Sequence, residues 1–252
     1  MKTIAVLNQK GGVGKTTTAV NVAAYLASKG NKVLIVDIDP QGNATSGLGL
    51  DKQSLRGTTY DLLTKKTEIQ SVISETNIPN LWIVGSNTDL AAAEVELVNE
   101  ISRESILANS MQQLAYDYVF IDCPPSLGLL TLNALCASDY LLIPVQTEYY
   151  ALEGLGQLLA IFQRVKQSLN NKIELLGVVA TMYDSRNSLA EQVYSELEKH
   201  FGDKVFDTKI PRNVRLAEAP SYGKPIQEHD RWSKGARAYK QLSKELAKRL
   251  GT

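Results

Sequence analysis

Residues Lys10 to Thr18 read KGGVGKTTT, small and cationic residues set between an apolar run at Thr3–Leu7 and a helical stretch predicted at Thr16–Lys29. Gly11, Gly12 and Gly14 let the backbone curl so that successive N–H groups point inward. The start of the helix adds the positive end of its dipole. Such a nest takes an anion, and phosphate fits it. Lys15 supplies a mobile cation for terminal phosphates, and the Thr16 hydroxyl can ligate Mg2+. Val13 and Thr17 complete the loop and the first helical turn. Strand, glycine loop and Gly-Lys-Thr opening a helix form the phosphate-binding P-loop layout. The usual GxxxxGK[ST] pattern wants glycine where this chain has Gln9, and a second lysine, Lys10, stands beside it. The loop is therefore a deviant form, xKGGxGK[ST], with an extra cation at its start.

Carboxylates arrive where a phosphate-bound Mg2+ would need them. Val33–Asp39 reads VLIVDID and Tyr118–Asp122 reads YVFID, each an apolar strand ending in aspartate and broken by proline. Aspartate ending a strand often serves only as a turn or cap residue, but three behind a P-loop match Mg2+, which takes few carboxylates plus phosphate and water. Asp122 is the candidate outer-shell ligand, in the Walker B position. Asp39 is the candidate to orient and polarise an attacking water, and Asp37 supports Mg2+ or the loop. Period-two geometry aims Asp37 and Asp39 to one side, so spacing alone allows their roles to be exchanged.

The elements that position these groups alternate. Strands are predicted at Thr3–Asn8, Lys32–Asp37, Leu81–Gly85, Tyr118–Asp122, Tyr140–Pro144, Glu174–Thr181 and Val205–Ile210. Helices are predicted at Thr16–Lys29, Leu90–Tyr116, Leu127–Ala137, Ala151–Leu169, Leu189–Phe201 and Ser233–Leu250. Continuous apolar strands alternating with helices imply a three-layer α/β fold, a mostly parallel twisted sheet with helices on both sides. Its ligands sit beyond the carboxyl ends of the strands. Gly42–Thr67 is the least regular stretch and reads as mobile surface. With no linker in view, residues 1–252 form a single domain.

The 252 residues are 44% hydrophobic and 21% charged, ordinary globular values. The absence of a charged-then-apolar leader and the presence of only Cys123 and Cys136 fit a reducing cytoplasm. No apolar run is long enough to span a bilayer. Net charge is zero, yet Lys204–Thr252 holds twelve Lys/Arg against five Asp/Glu. That excess fits a polyanion partner or solvated helix faces. Tyr239, Leu242, Leu246 and Leu250 form a thin apolar stripe beside Lys240, Lys244, Lys248 and Arg249. It fits a helix packed on the sheet better than one lying on a membrane, since it lacks Phe and Trp. Two cysteines and two histidines do not make a cluster or zinc site.

KGGVGKTTT, VDIDPQGNAT at Val36–Thr45, FIDCPPSLG at Phe120–Gly128 and RLAEAPSYGKP at Arg215–Pro225 together resemble the ParA/Soj partition ATPases of chromosomes and plasmids, over nearly the whole chain. TTYDLL at Thr58–Leu63 is similar to the Soj-like branch. The resemblance implies slow ATP hydrolysis with Mg2+ and a homodimer that sandwiches two ATP molecules. In it Lys10 reaches the partner's phosphates, as an arginine finger does. Pro124–Gly128 match the segment that senses the γ-phosphate, and Pro211 and Asn213 lie near adenine. The ATP dimer of this family binds nucleoid DNA without sequence preference, through basic residues to which Arg186, Arg212 and Arg215 correspond. It answers to a centromere-binding ParB-type partner. Two other readings are a membrane-associated MinD-type division regulator and a small-molecule phosphotransferase, for which no acceptor pocket is visible in the sequence.

Overall fold

The computed structural model describes residues 1–148 and 154–252. Seven strands form one sheet: β1 (Lys2–Val6), β2 (Val33–Asp37), β3 (Ile73–Glu75), β4 (Leu81–Val84), β5 (Tyr118–Asp122), β6 (Tyr140–Gln146) and β7 (Glu174–Thr181). Their order is β3-β4-β2-β5-β1-β6-β7, parallel except for the β3 edge. Strands β1, β2 and β5 are fully or nearly fully buried along their length, which is why their sequences read as unbroken apolar runs. Alternate residues serve opposite layers. Leu34, Val36, Val119 and Ile121 join one hydrophobic cluster, and Val33, Ile35, Tyr118 and Phe120 join the other.

The helices are α1 (Lys15–Ala27), α2 (Asn43–Gly47), α3 (Thr59–Thr64), α4 (Ile69–Val72), α5 (Leu90–Glu96), α6 (Ile106–Ser110), α7 (Leu129–Cys136), α8 (Leu155–Ser168), α9 (Ser188–Phe201), α10 (Val214–Glu218), α11 (Ile226–His229) and α12 (Lys234–Arg249). Helix α12 returns the C-terminus to α1. The Thr18 and Tyr239 hydroxyls meet at 3.1 Å, and Tyr25 donates to the Ala236 carbonyl at 2.8 Å. Tyr239, Leu242 and Leu246 are all buried. At roughly 1.5–3 kcal/mol for each large apolar side chain, that contact holds the basic helix firmly on the domain. Its apolar stripe therefore faces protein, as its thinness implied.

Three expectations change. The predicted helix Leu90–Tyr116 breaks into α5, two 3-10 turns and α6, because Glu100 turns extended and Ser102 enters the left-handed region at φ 54°. Val205–Ile210 is not a strand: it makes isolated hydrogen bonds to β7, Phe206 N–H to Val178 and Ile210 N–H to Ala180. The seventh strand is instead the short antiparallel β3, too polar to announce itself. Gly42–Thr67 is ordered by α2 and α3, the latter with a capping box in which Thr58 and Asp61 satisfy each other's backbone N–H. The start of the predicted Ala151–Leu169 helix lies outside the described residues.

Candidate functional site

Strand β1 delivers the chain to the loop at the carboxyl end of the sheet. Gly12 and Gly14 take φ of +74° and +91°, values that side chains resist, and Gly14 opens α1. No side chain caps α1, so the N–H groups of its first turn remain available to an anion. Val13 is buried, and its carbonyl accepts the Thr181 hydroxyl at 2.7 Å, which ties the loop to β7. The Lys10 N–H donates to Asn8 Oδ1 at 3.0 Å.

The two lysines behave differently. Lys15 is buried, and its Nζ turns back to the Lys10 carbonyl at 3.2 Å. Burial pushes its ammonium below the usual range, against the pull of Asp122 and Asp39. A phosphate group would restore the charge balance that burial disturbs. Lys10 stays 40% exposed and pairs outward with Glu148 Oε2 at 3.2 Å. Glu148 also approaches Arg212 at 3.6 Å.

The aspartates separate as well. Asp37 and Asp122 face each other in register on β2 and β5, both fully buried. Asp37 Oδ2 accepts the Thr45 N–H at 2.9 Å and hydroxyl at 2.7 Å, and Oδ1 accepts the Asp39 N–H at 3.3 Å. These contacts tie Asp37 to Asp39 and Thr45, in the segment that follows β2. Burial raises its pKa to about 6 despite those bonds. Neither oxygen of Asp122 has a hydrogen-bond partner among the described residues. Burial first, then the Asp37 charge, drive its pKa well upward; the nearby Thr16 hydroxyl opposes this without hydrogen-bond geometry. Asp39 lies beyond the end of β2, so strand periodicity does not govern it. It is 6% exposed and lines the cleft, with Oδ1 bonded to the Gln41 N–H at 2.9 Å.

An orphaned buried carboxylate beside a threonine hydroxyl is what a hard cation would satisfy. No cluster of three His, Cys, Asp or Glu side chains forms a cage among the described residues. Mg2+ needs none, because it takes one or two carboxylates and completes its shell with phosphate and water. The residues present therefore fit Mg2+ carried with a polyphosphate.

The loop opens into a cleft of about 630 Å³, within the range of small-ligand sites. Gly11, Gly12, Gly14, Lys15, Thr16 and Thr17 form one wall, and Pro211, Arg212 and Asn213 the other. Asn213 Oδ1 is buried without a partner among the described residues, an acceptor suited to an exocyclic amine. Thr181, Met182, Gln41 and Asn43 also line the cleft and carried no motif. Glu148 was missed too. Met182 takes φ +50°, unusual for a long side chain, and lines the cleft.

The arginines lie on adjoining loops. An isolated bridge joins Tyr183 to Pro211, and the Arg212 N–H reaches the Tyr183 carbonyl at 3.3 Å. Each is paired within the chain: Arg186 with Asp184 at 2.7 Å, Arg215 with Glu218 at 2.8 Å and Asp230 at 3.5 Å, and Arg212 with Glu148. Exposed pairs of this kind are worth about 0–1 kcal/mol, so a polyanion can displace the acids.

A family model described as an AAA domain matches residues 1–175. The chain is 54% identical to the sporulation initiation inhibitor protein Soj of Bacillus subtilis over 248 residues, 98% of each chain. It is 51% identical to the chromosome-partitioning ATPase Soj of Treponema pallidum, over 99% of this chain and 98% of that protein. A solved Mycobacterium smegmatis structure named cobyrinic acid a,c-diamide synthase, with bound ATP analog and magnesium, superposes with a TM-score of 0.88. It is 35% identical, over 100% of this chain and 96% of that one. Its name describes a small-molecule enzyme, whereas several curated relatives at higher identity are named chromosome-partitioning proteins.

Proposed function

Because the chain belongs to the Soj/ParA family of chromosome-partitioning, magnesium-dependent ATPases, we propose that it works as a nucleotide-controlled dimer. That dimer holds double-stranded DNA without sequence preference and releases it when a ParB-type partner triggers hydrolysis. Residues 1–252 act as one P-loop ATPase unit. Gly11 to Thr17 wrap the phosphates of ATP, and Lys15 neutralises the terminal ones. Thr16 and Asp122 hold Mg2+ with Asp37 in support beside them, and Asp39 orients the attacking water. Bound Mg2+ supplies charge neutralisation at the phosphate oxygens. Pro211 and Asn213 take adenine. Lys10 reaches the nucleotide of a second copy, and Arg186, Arg212 and Arg215 meet DNA phosphates.

The observation that supports this reading is the division between the two loop lysines. Lys15 folds into the cradle, while Lys10 leaves it and stands at the rim on an exposed, exchangeable ion pair. A cation supplied to a neighbour's triphosphate couples association to the nucleotide state, and loss of the γ-phosphate uncouples it. The unit works at the nucleoid and makes no stable membrane association. The apolar residues of α12 are committed to the core, and no described helix is long and apolar enough to cross a membrane.

The test is a gel shift on random duplex DNA with ATP, ADP or no nucleotide at two salt concentrations. ATP-dependent retention that falls steeply with salt is expected, and Asp39→Ala should hold DNA longer than wild type. Equal retention in all three nucleotide states, or rapid phosphate release from Asp39→Ala, contradicts the reading.

A further inference from the structure

Away from the cleft, the segment that follows β4 exposes Val95 (76%), Val98 (50%) and Ile101 (93%) at three-residue intervals along α5 and the turn after it. Three large aliphatics so close together on a surface mark a contact site more often than chance. Beside them a groove of about 540 Å³ opens, bordered by Ile101, Ile106, Leu62, Ile69 and Glu100. The charge around the aliphatics is one-sided. Glu94 to Glu104 contains four glutamates and one arginine. Lys66 neutralises Glu100 at 3.1 Å and Arg103 neutralises Glu104 at 3.3 Å. Glu96 receives only the Tyr60 hydroxyl, at 3.1 Å to either oxygen. Among the described residues neither Glu94 nor Glu96 has a cationic partner. An apolar strip with surplus carboxylates fits a segment carrying aliphatic and basic side chains together.

The strip is joined to the nucleotide end of the sheet by Glu94. Its Oε1 is buried without a hydrogen-bond partner among the described residues and lies against Gly128. A β-carbon at Gly128 would clash with that oxygen. Gly128 caps α7 and ends Pro124–Gly128, the segment that leaves Asp122. A shift of α5 therefore moves a carboxylate that rests on the last residue of that segment.

We infer that the α5 strip and its groove dock a basic, aliphatic segment of the partition partner, and that Glu94 passes this docking to the residues after β5. The inference deepens the proposed function, because it gives partner-stimulated hydrolysis a contact surface. Binding to the strip requires neither DNA nor a dimer, so the two fail separately.

The probe is a labelled synthetic peptide alternating pairs of lysine and leucine, with a glutamate–leucine peptide as control, followed by fluorescence anisotropy with and without ATP. Wild type should bind the lysine peptide and not the control. Val95→Glu with Ile101→Glu should bind about tenfold more weakly or worse, and so should Glu96→Lys with Glu100→Lys. All four positions are at the surface, and unchanged melting temperatures verify folding. The lysine peptide should speed phosphate release by wild type, and Glu94→Gln should lose that stimulation while losing less peptide affinity than the Glu96/Glu100 variant. Equal binding by the variants, or undiminished stimulation of Glu94→Gln, overturns the inference. Loss of ATP-dependent dimerisation in the Val95/Ile101 variant also overturns it, and assigns the strip to a second copy of this chain.

Discussion

The cradle around Lys15 and the loops around Arg186 and Arg215 are both charged, and they hold charge in opposite ways. In the cradle, Lys15, Asp37 and Asp122 are buried, and both oxygens of Asp122 lack a partner among the described residues. On the loops each arginine is exposed and matched to an acid. Buried groups left unbalanced are costly, so they suit a ligand that is held tightly. Exposed groups already balanced are cheap to rearrange, and point to a ligand that comes and goes. On the proposed function, the contrast is that between a tight nucleotide site and a releasable polyanion surface.

The largest break in that contrast should come from Lys15→Ala. Removing the only buried cation at the loop should lower nucleotide affinity by about 10²-fold or more, read by titration with a fluorescent ATP analogue. Near-normal affinity would move the phosphate site elsewhere.

A second effect tests the orphaned carboxylates through pH. Asp37 carries a folded pKa raised to about 6, and Asp122 moves in the same direction. The native state then binds more protons than the unfolded chain. Nucleotide-free stability should fall as pH rises from about 4 through about 6. Urea unfolding should show that slope, and saturating Mg2+ with a non-hydrolysable ATP analogue should flatten it. Asp122→Asn should stabilise the nucleotide-free protein at pH 7.5 and remove the Mg2+-dependent gain. A pH-independent apo protein would contradict the balance described for these two aspartates.

The smallest effect belongs to the exposed arginines. Arg215→Glu should leave ATP affinity unchanged and weaken DNA retention. Arg186→Ala should reduce the salt dependence of retention by about one phosphate contact. Unchanged retention in both would leave the polyanion surface to the unpaired lysines of α12.

The same contrast explains what the sequence disclosed. Glycines at positive φ, a lysine at a helix start and aspartates at strand ends are fixed by local geometry, so KGGVGKTTT, Asp37 and Asp122 were legible from residue order. So were the parallel strands, whose two buried faces leave few polar positions. Glu148 and Thr181 were not, because β6 and β7 bring them to the loop only through the sheet order. Asp39 was found, but its direction was not. The chain leaves β2 at Asp37, and the Asp39 N–H folds back on that carboxylate, so alternation no longer applies. The Leu90–Tyr116 helix failed because nothing local in its sequence requires the turn at Ser102. RLAEAPSYGKP was visible as a motif, whereas the acids that neutralise Arg215 became apparent only once α10 and Asp230 were placed beside it.

The most direct measurement is the mass in solution by light scattering, with Mg2+ and a non-hydrolysable ATP analogue at saturation. Wild type should shift from the 27.7 kDa chain to twice that mass, and Lys10→Ala should stay at the single-chain mass while still binding the analogue. A wild-type protein that remains a single chain under those conditions would contradict the account.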